Sequence, residues 1–351
     1  MIINNYSGIR IKAMACAVPD NYISVESLKN GENDAMLDRF VKNTNVVGHY
    51  ECLEHQTAAD LGEVAAKEII KDLGIGNDEI GVLVYVTQYP DYKAPSTACV
   101  LQHRMGLNND CIDFDVNLGC SAFVYGLNVV SSLLMSSNAK YGILLAGDSP
   151  SKGNRSDNSR NLFGDACSAT LIERCEGCDE INIASRTDGS GFRTMWGVMG
   201  SKHKEIKARI GIHDEIGVFN FAIEQAPKLI NEFLEIIGKT PADFDVLALH
   251  QANMMIMKQI VKRTHFEKEK MLVSIDKYAN TSGASIPLCF VEKYGGKEEN
   301  GTLRSLLCGY GIGLSWAAVS IKIEKSCIMP LIKTNYWFDD ELDKYLKENK
   351  N

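Results

Sequence analysis

Cys120 stands where a thiol can be made reactive. It follows Ile112–Val116, which reads as a strand, and precedes Ser121 to Met135, which reads as a helix. A cysteine at a strand-to-helix turn lies in the positive field of the helix N-terminus, and that field favours thiolate. Gly119 and Ser121 leave the sulfur accessible. The competing reading is a buried core thiol, which suits most of the other cysteines. His250-Gln251-Ala252-Asn253 follows the apolar stretch Phe244 to Leu249. Functional side chains of α/β sheets collect beyond the carboxyl ends of strands. A hydrogen-bonded structural histidine is the alternative. Tyr278-Ala279-Asn280-Thr281-Ser282-Gly283-Ala284-Ser285 precedes an apolar helix that starts near Ile286-Pro287, and reads either as a polar site or as a helix cap. Gly309-Tyr310-Gly311-Ile312-Gly313 allows close backbone approach to a ligand, or a simple hairpin. Cys175-Glu176-Gly177-Cys178 is one CxxC pair without a second pair at zinc-site spacing, so neither a metal nor a redox role is expected.

The elements that must position these groups alternate between helical and strand patterns, which predicts an α/β layered fold. Thr57 caps a helix with Asp60 three residues on, and Gly74 ends it. Gly81 to Thr87 and Tyr141 to Ala146 are continuous apolar runs, as in strands covered on both faces. Phe219 to Ile237 is helical but contains Pro227, so a kink or two helices are expected. Leu303 to Cys308 and Gly313 to Ile321 read as strands joined by the glycine-rich turn. The expected division is residues 1–175, residues 176–334 and an appended helical segment, 335–351.

The chain has 351 residues, with 37 Lys+Arg against 45 Asp+Glu and a formal charge of -8. That balance gives no overall attraction for nucleic acid or anionic lipid. No apolar stretch is long enough to span a bilayer and no leader pattern opens the chain, so a soluble cytoplasmic protein is expected, with no membrane partner. Most of the 11 cysteines, with Cys99, Cys167, Cys289 and Cys308 in apolar runs, read as buried free thiols of a reducing compartment.

Taken together and in order, several motifs resemble the 3-oxoacyl-acyl-carrier-protein synthase III family of the thiolase fold. They are Asp115 to Phe123, Phe163-Gly164-Asp165, His250 to Asn253, Asn280-Thr281-Ser282 and Gly309 to Trp316, within a resemblance running from Ile9 to Ile323. The resemblance implies two similar halves in a five-layered α-β-α-β-α arrangement and a homodimer. It implies Cys120 as the acyl-accepting nucleophile, with the N–H groups of Cys120 and Ile312 as its oxyanion hole. His250 and Asn280 would stabilise the enolate left by decarboxylation of a malonyl thioester. The substrates would be acyl-CoA or acyl carrier protein, with no metal and no bound cofactor. Initiation of fatty-acid synthesis or a specialised acyl pathway follows from the same resemblance. A catalytically silent carrier-protein-binding partner, or an acyltransferase or thioester hydrolase using the same Cys-His pair, is the alternative.

The departures from the family concern substrate delivery. An aromatic remains at Phe40, but the family's arginine just after it is missing. Met255 replaces an arginine expected to face the carrier protein, with Lys258, Lys262 and Arg263 further along. Ile216 falls where the family has an asparagine for the pantetheine arm, and Arg155 and Arg160 lie near the place of another arginine. Fewer cationic anchors should weaken nucleotide binding, so carrier-protein delivery is expected. Ala94 stands where acetyl-specific members have a phenylalanine closing the acyl pocket, which predicts primers longer than acetyl. Ala122 replaces a glycine and would crowd the acyl tunnel. Cys308 lies beside the glycine turn, where a non-decarboxylating thiolase would carry a second cysteine; the motif frame puts it in the core.

Overall fold

A computed structural model describes residues 1–153, 160–198, 209–212, 214–297, 299–342, 345 and 348. Its strands are β1 (Ile2–Tyr6), β2 (Ile9–Pro19), β3 (Tyr22–Ser24), β4 (Gly48–Tyr50), β5 (Ile80–Val86), β6 (Ile112–Val116), β7 (Tyr141–Asp148), β8 (Ala166–Arg174), β9 (Ile181–Thr187), β10 (Met195–Val198), β11 (Arg209–Ile212), β12 (Val246–Leu249), β13 (Thr302–Gly311), β14 (Ser315–Glu324) and β15 (Ile332–Thr334). The helices are α1 (Asp34–Thr44), α2 (Ala58–Leu73), α3 (Thr97–Arg104), α4 (Ala122–Ser136), α5 (Glu215–Ile236), α6 (Met254–Thr264), α7 (Ile275–Tyr278) and α8 (Ser285–Tyr294).

Two large sheets carry the fold. One has the order β15-β2-β8-β7-β5-β6, the other β1-β9-β14-β13-β12. The continuous apolar runs of the sequence become strands buried on both faces. In β5, Val82, Val84 and Val86 face a central core shared with α4, α8 and the second sheet. Leu83 and Tyr85 face the outer layer of α2 and α3. The second sheet has its own outer layer, in which α5 and α6 pack against Leu247, Leu249, Leu306 and Cys308. Five layers result, with α4 and α8 in the middle. The terminal strands exchange places: β1 joins the second sheet and β15 the first.

Local signals act as expected in α2, where Thr57 and Asp60 form a capping box and Gly74 closes the helix with φ +61°. Elsewhere the structure corrects the sequence. Pro227 lies inside one helix, α5, and is buried there. Gly309 to Gly311 belongs to β13, so the hairpin turn contracts to Ile312-Gly313-Leu314. Cys99 is exposed on α3, while Cys167, Cys289 and Cys308 are buried. Cys175 and Cys178 are joined by a disulfide rather than left as free thiols. Gly177, at φ +70°, turns the chain so that their Cα atoms lie 5.9 Å apart, within disulfide reach. Residues 335–341 form no helix; the Tyr336 carbonyl and the Phe338 N–H bond instead to the side chains of Gln56 and Asp60, on α2 and its flank. Leu342, Tyr345 and Glu348 are helical. Among the described residues, no helix is long and apolar enough to cross a membrane.

Candidate active site

The chain leaves β6 at Val116 and enters α4 at Ala122, so Cys120 sits at the helix's N-terminal edge, half-buried. Strand β13 presses against it from the other sheet. A Cβ at Gly311 would overlap Cys120 Cβ and lie 3.2 Å from its Sγ, and one at Gly309 would lie 3.2 Å from the Cys120 carbonyl. Both glycines are therefore places of close backbone approach to the thiol. The turn that follows is tied to the same helix end. Ser315 donates to the Ile312 carbonyl at 2.7 Å, which leaves the Ser121 hydroxyl to donate to Ser315 Oγ, also at 2.7 Å. These two bonds hold Ile312 beside Cys120. Gly311→Ala should cut acylation of Cys120 by about a hundredfold, the cost of misplacing a reacting atom by about 1 Å. The rate of acyl-enzyme formation checks it, and a near-normal rate would show that β13 can yield.

His250 follows β12 at the carboxyl end of the second sheet, where its own N–H donates to the Cys308 carbonyl at 2.8 Å. Its Nδ1 lies 2.8 Å from Ser285 Oγ, the Tyr310 hydroxyl donates to its carbonyl at 3.0 Å, and the Tyr310 ring meets it edge-on. Burial disfavours the charged ring and lowers its pKa to about 3, despite an opposing hydrogen bond to the Ser282 backbone. The imidazole is therefore neutral near pH 7.

The sign of the pH effect follows. The unfolded chain takes up a proton near pH 6.5 that the folded chain refuses until about pH 3. Stability contributed by this site is complete above the upper value and is lost as pH falls between the two. The slope should reach about 1.4 kcal/mol per pH unit. Urea titrations of the parent and His250→Gln should diverge in steepness on this acid limb, and parallel limbs would sink the prediction.

Asn280 is nearly fully buried and is fixed through its backbone, donating to Leu162 O at 3.0 Å and accepting from Gly164 N at 3.1 Å. The Phe163-Gly164-Asp165 motif thus forms a bridge to it. Asp165 in turn accepts from Cys52 N at 2.7 Å and Ser151 N at 3.0 Å. The Ser282 N–H donates to Asn280 Oδ1 at 2.9 Å. An N–H can meet only the amide's oxygen, so the Nδ2 donors occupy the other branch. Ser282 adopts a left-handed φ of +49°, which turns its N–H back onto Asn280.

The turn from Ser282 to Ser285 brings the three groups together. It binds Asn280 through Ser282 and His250 through Ser285. It also packs on the nucleophile's helix end: Ser282 Oγ lies 3.2 Å from the place of a Gly119 Cβ, and Ala122 Cβ lies 2.8 Å from that of a Gly283 Cβ. Ala122 is thus fully buried against Gly283.

The other residues singled out from the sequence distribute unevenly. Phe40 packs with Leu162 and Met254 against Val46, Ile275 and Ala279, next to Asn280. Ala94 is exposed on the loop between β5 and α3. Ile216 is 74% exposed near the start of α5, and Met255 and Lys258 are exposed on α6, so none of these three joins the Cys-His-Asn cluster. Arg160 pairs with Glu51 at 2.7 and 2.9 Å, and Arg155 lies outside the described residues. Cys308 is buried in β13, where burial pushes its pKa up to about 12. Sequence reading missed Ser285 and the Ser121–Ser315 pair as supports. The polar cluster at Tyr278 to Ser285 was the available signal for Ser285.

Two family models match the chain: 3-oxoacyl-[acyl-carrier-protein] synthase III over residues 114–189, and its C-terminal counterpart over residues 234–323. The beta-ketoacyl-[acyl-carrier-protein] synthase III of Enterococcus faecalis is 30% identical over 336 residues, covering 92% of this chain and 100% of that protein. The chain belongs to the 3-oxoacyl-acyl-carrier-protein synthase III family. The synthase III of Clostridium perfringens is 30% identical over 87% of this chain and 96% of that protein. The 3-oxoacyl-(acyl-carrier protein) synthase of Burkholderia xenovorans superposes with a TM-score of 0.89 at 28% identity, covering 95% of this chain and 99% of that one. The thiolase-type layering is thus shared with solved synthases of the family, and this chain is a condensing enzyme of the acyltransferase class.

Proposed function

We propose that the protein catalyses a decarboxylating Claisen condensation between an acyl primer and a malonyl thioester. The observation that carries this reading is the Ser282–Ser285 turn, which holds Asn280 and His250 and packs on the helix end bearing Cys120. In the first half-reaction the Cys120 thiolate attacks the primer thioester carbonyl. The N–H groups of Cys120 and Ile312 receive the oxyanion, and the carrier thiolate leaves and is protonated. In the second, the malonyl carboxylate departs as CO2 and its bonding electrons become an enolate. A neutral imidazole and the Asn280 amide can donate to that enolate oxygen without adding charge. The enolate carbon then attacks the acyl group, the C–S bond to Cys120 breaks, and a 3-oxoacyl thioester is released. In a hydrolase triad Asn280 would orient the imidazole, whereas here His250 Nδ1 meets Ser285 Oγ at 2.8 Å and Asn280 Oδ1 accepts from the Ser282 N–H.

The finer reading is a cytoplasmic homodimer that takes acyl-CoA or acyl carrier protein, with primers longer than acetyl. Support comes from the small Ala94 side chain and from the exposed cations Lys258, Lys262 and Arg263 on α6, which suit an acidic carrier protein. Intact-protein mass after incubation with separate acyl-CoA and acyl-carrier-protein donors tests the whole reading. One acyl adduct on Cys120, discharged by malonyl-carrier protein with release of CO2, is the expected result. No adduct from any donor would overturn it.

A further inference from the structure

The chain does not end with the segments that match the family, the last of which stops at residue 323. After β15 adds to the edge of the first sheet beside β2, residues 335–341 cross the outer helices as a strap. Gln56 donates to the carbonyls of Thr334 at 3.0 Å and Tyr336 at 2.8 Å. The Phe338 N–H donates to Asp60 at 3.1 Å, and the Tyr336 hydroxyl donates to Glu63 at 3.3 Å. Arg104 stacks its guanidinium 4.4 Å from the Phe338 ring centre. Beneath lies an ion cluster of Arg104, Asp60 and Glu63, none of whose side chains is more than 3% exposed.

The strap's far end meets the loop between β5 and α3. The Tyr92 hydroxyl donates to Asp340 at 2.5 Å. Asp91, one residue earlier, faces Thr57 and the same Asp60–Arg104 pair. At its other end the loop is fastened beside the nucleophile. Thr87 Oγ1 and Gln88 N both donate to Asp148 at 2.7 Å, and Gln88 Oε1 packs so tightly on Gly119 that a Cβ there would overlap it. The loop is therefore pinned inside by groups touching the Cys120 turn and outside by the strap.

We propose that residues 335–341 are a specificity-determining strap. Through Asp340 and Tyr92 it holds the loop over Gln88–Ser96 against the nucleophile's turn and limits which acyl chains reach Cys120. This rests on the assignment of Cys120 as acyl acceptor. Neither Tyr92 nor Asp340 touches the reacting atoms; they act as positioning residues through the loop.

The test uses the full chain and three variants: Asp340→Ala, Tyr92→Phe and Asp340→Asn. Donors are straight-chain acyl-CoA and acyl-carrier-protein thioesters from acetyl to decanoyl. Two quantities are read: the rate of Cys120 acylation by intact mass, and amide hydrogen exchange over residues 88–96. Asp340→Ala and Tyr92→Phe should both speed exchange in the loop. Both should also narrow the ratio of rates between the preferred primer and the next longer one by about five- to tenfold, the scale of one ordinary hydrogen bond. Asp340→Asn keeps an acceptor and should retain most of the discrimination. Unchanged exchange, or equal slowing of every donor with the profile intact, would overturn the strap's role and leave it a structural staple. If no donor acylates Cys120 in the parent, the assignment of the site itself fails and the strap proposal falls with it.

Discussion

Cys120→Ala should abolish the acyl-enzyme and lower condensation by about 10⁴-fold or more, the scale seen when a covalent nucleophile is removed. The substitution takes away the sulfur proposed to hold the primer. Its structural cost should be small. Cys120 is half-buried, and alanine keeps the Cβ against which Gly311 packs. On the proposed mechanism decarboxylation of the malonyl thioester needs no sulfur, because the donors His250 and Asn280 are held by the Ser282–Ser285 turn. The variant should therefore still release CO2 from malonyl-carrier protein while forming no carbon–carbon bond. Mass spectrometry for the adduct and a CO2 assay separate the two half-reactions. An adduct persisting at another residue would reassign the nucleophile.

Asn280→Asp is expected to produce the mirror image. Aspartate keeps an oxygen to accept the Ser282 N–H, so the backbone bridge to Leu162 and Gly164 should survive. What changes is the other branch, where an N–H donor becomes a second carboxylate oxygen. That oxygen would face the enolate with like charge in a buried site, where such repulsion is poorly screened. Losing one such donor typically costs about 10²- to 10³-fold, and the added charge deepens the loss. Acylation of Cys120 should proceed near the parent rate, since its proposed oxyanion donors are backbone groups elsewhere. A parallel fall in acylation would show that Asn280 supports the thiol and not the enolate.

The buried, neutral His250 bears on both experiments. Its pKa of about 3 means that the imidazole should not titrate across neutral pH. A pH–rate break near neutrality therefore belongs to another group.

Much of this was legible in the chain. Strand runs such as Gly81 to Thr87, the Thr57–Asp60 cap and the strand preceding His250 are local signals, and they survive folding because propensity and burial agree there. The spaced motifs around Cys120, His250, Asn280 and Gly309 to Trp316 identified the family and its chemistry. Where local patterns misled, long-range contact had overridden them. Glycines that read as a hairpin turn became strand, because β13 must pass against Cys120 without side chains. The amphipathic look of the terminal segment suggested a helix, yet its first residues form none and lie across Gln56, Asp60 and Arg104.

Residue type and short spacing thus raised Cys120 and His250 as candidates beside structural alternatives, and the resemblance of the ordered motifs gave them and Asn280 their proposed roles. Folding settled their supports. Ser285 finds His250, Ser315 finds Ser121, and Asp340 finds Tyr92 across sequence separations of 35, 194 and 248 residues. No local periodicity encodes such pairs. They form only when layers stacked by burial of apolar faces bring distant strand ends and turns into hydrogen-bonding distance.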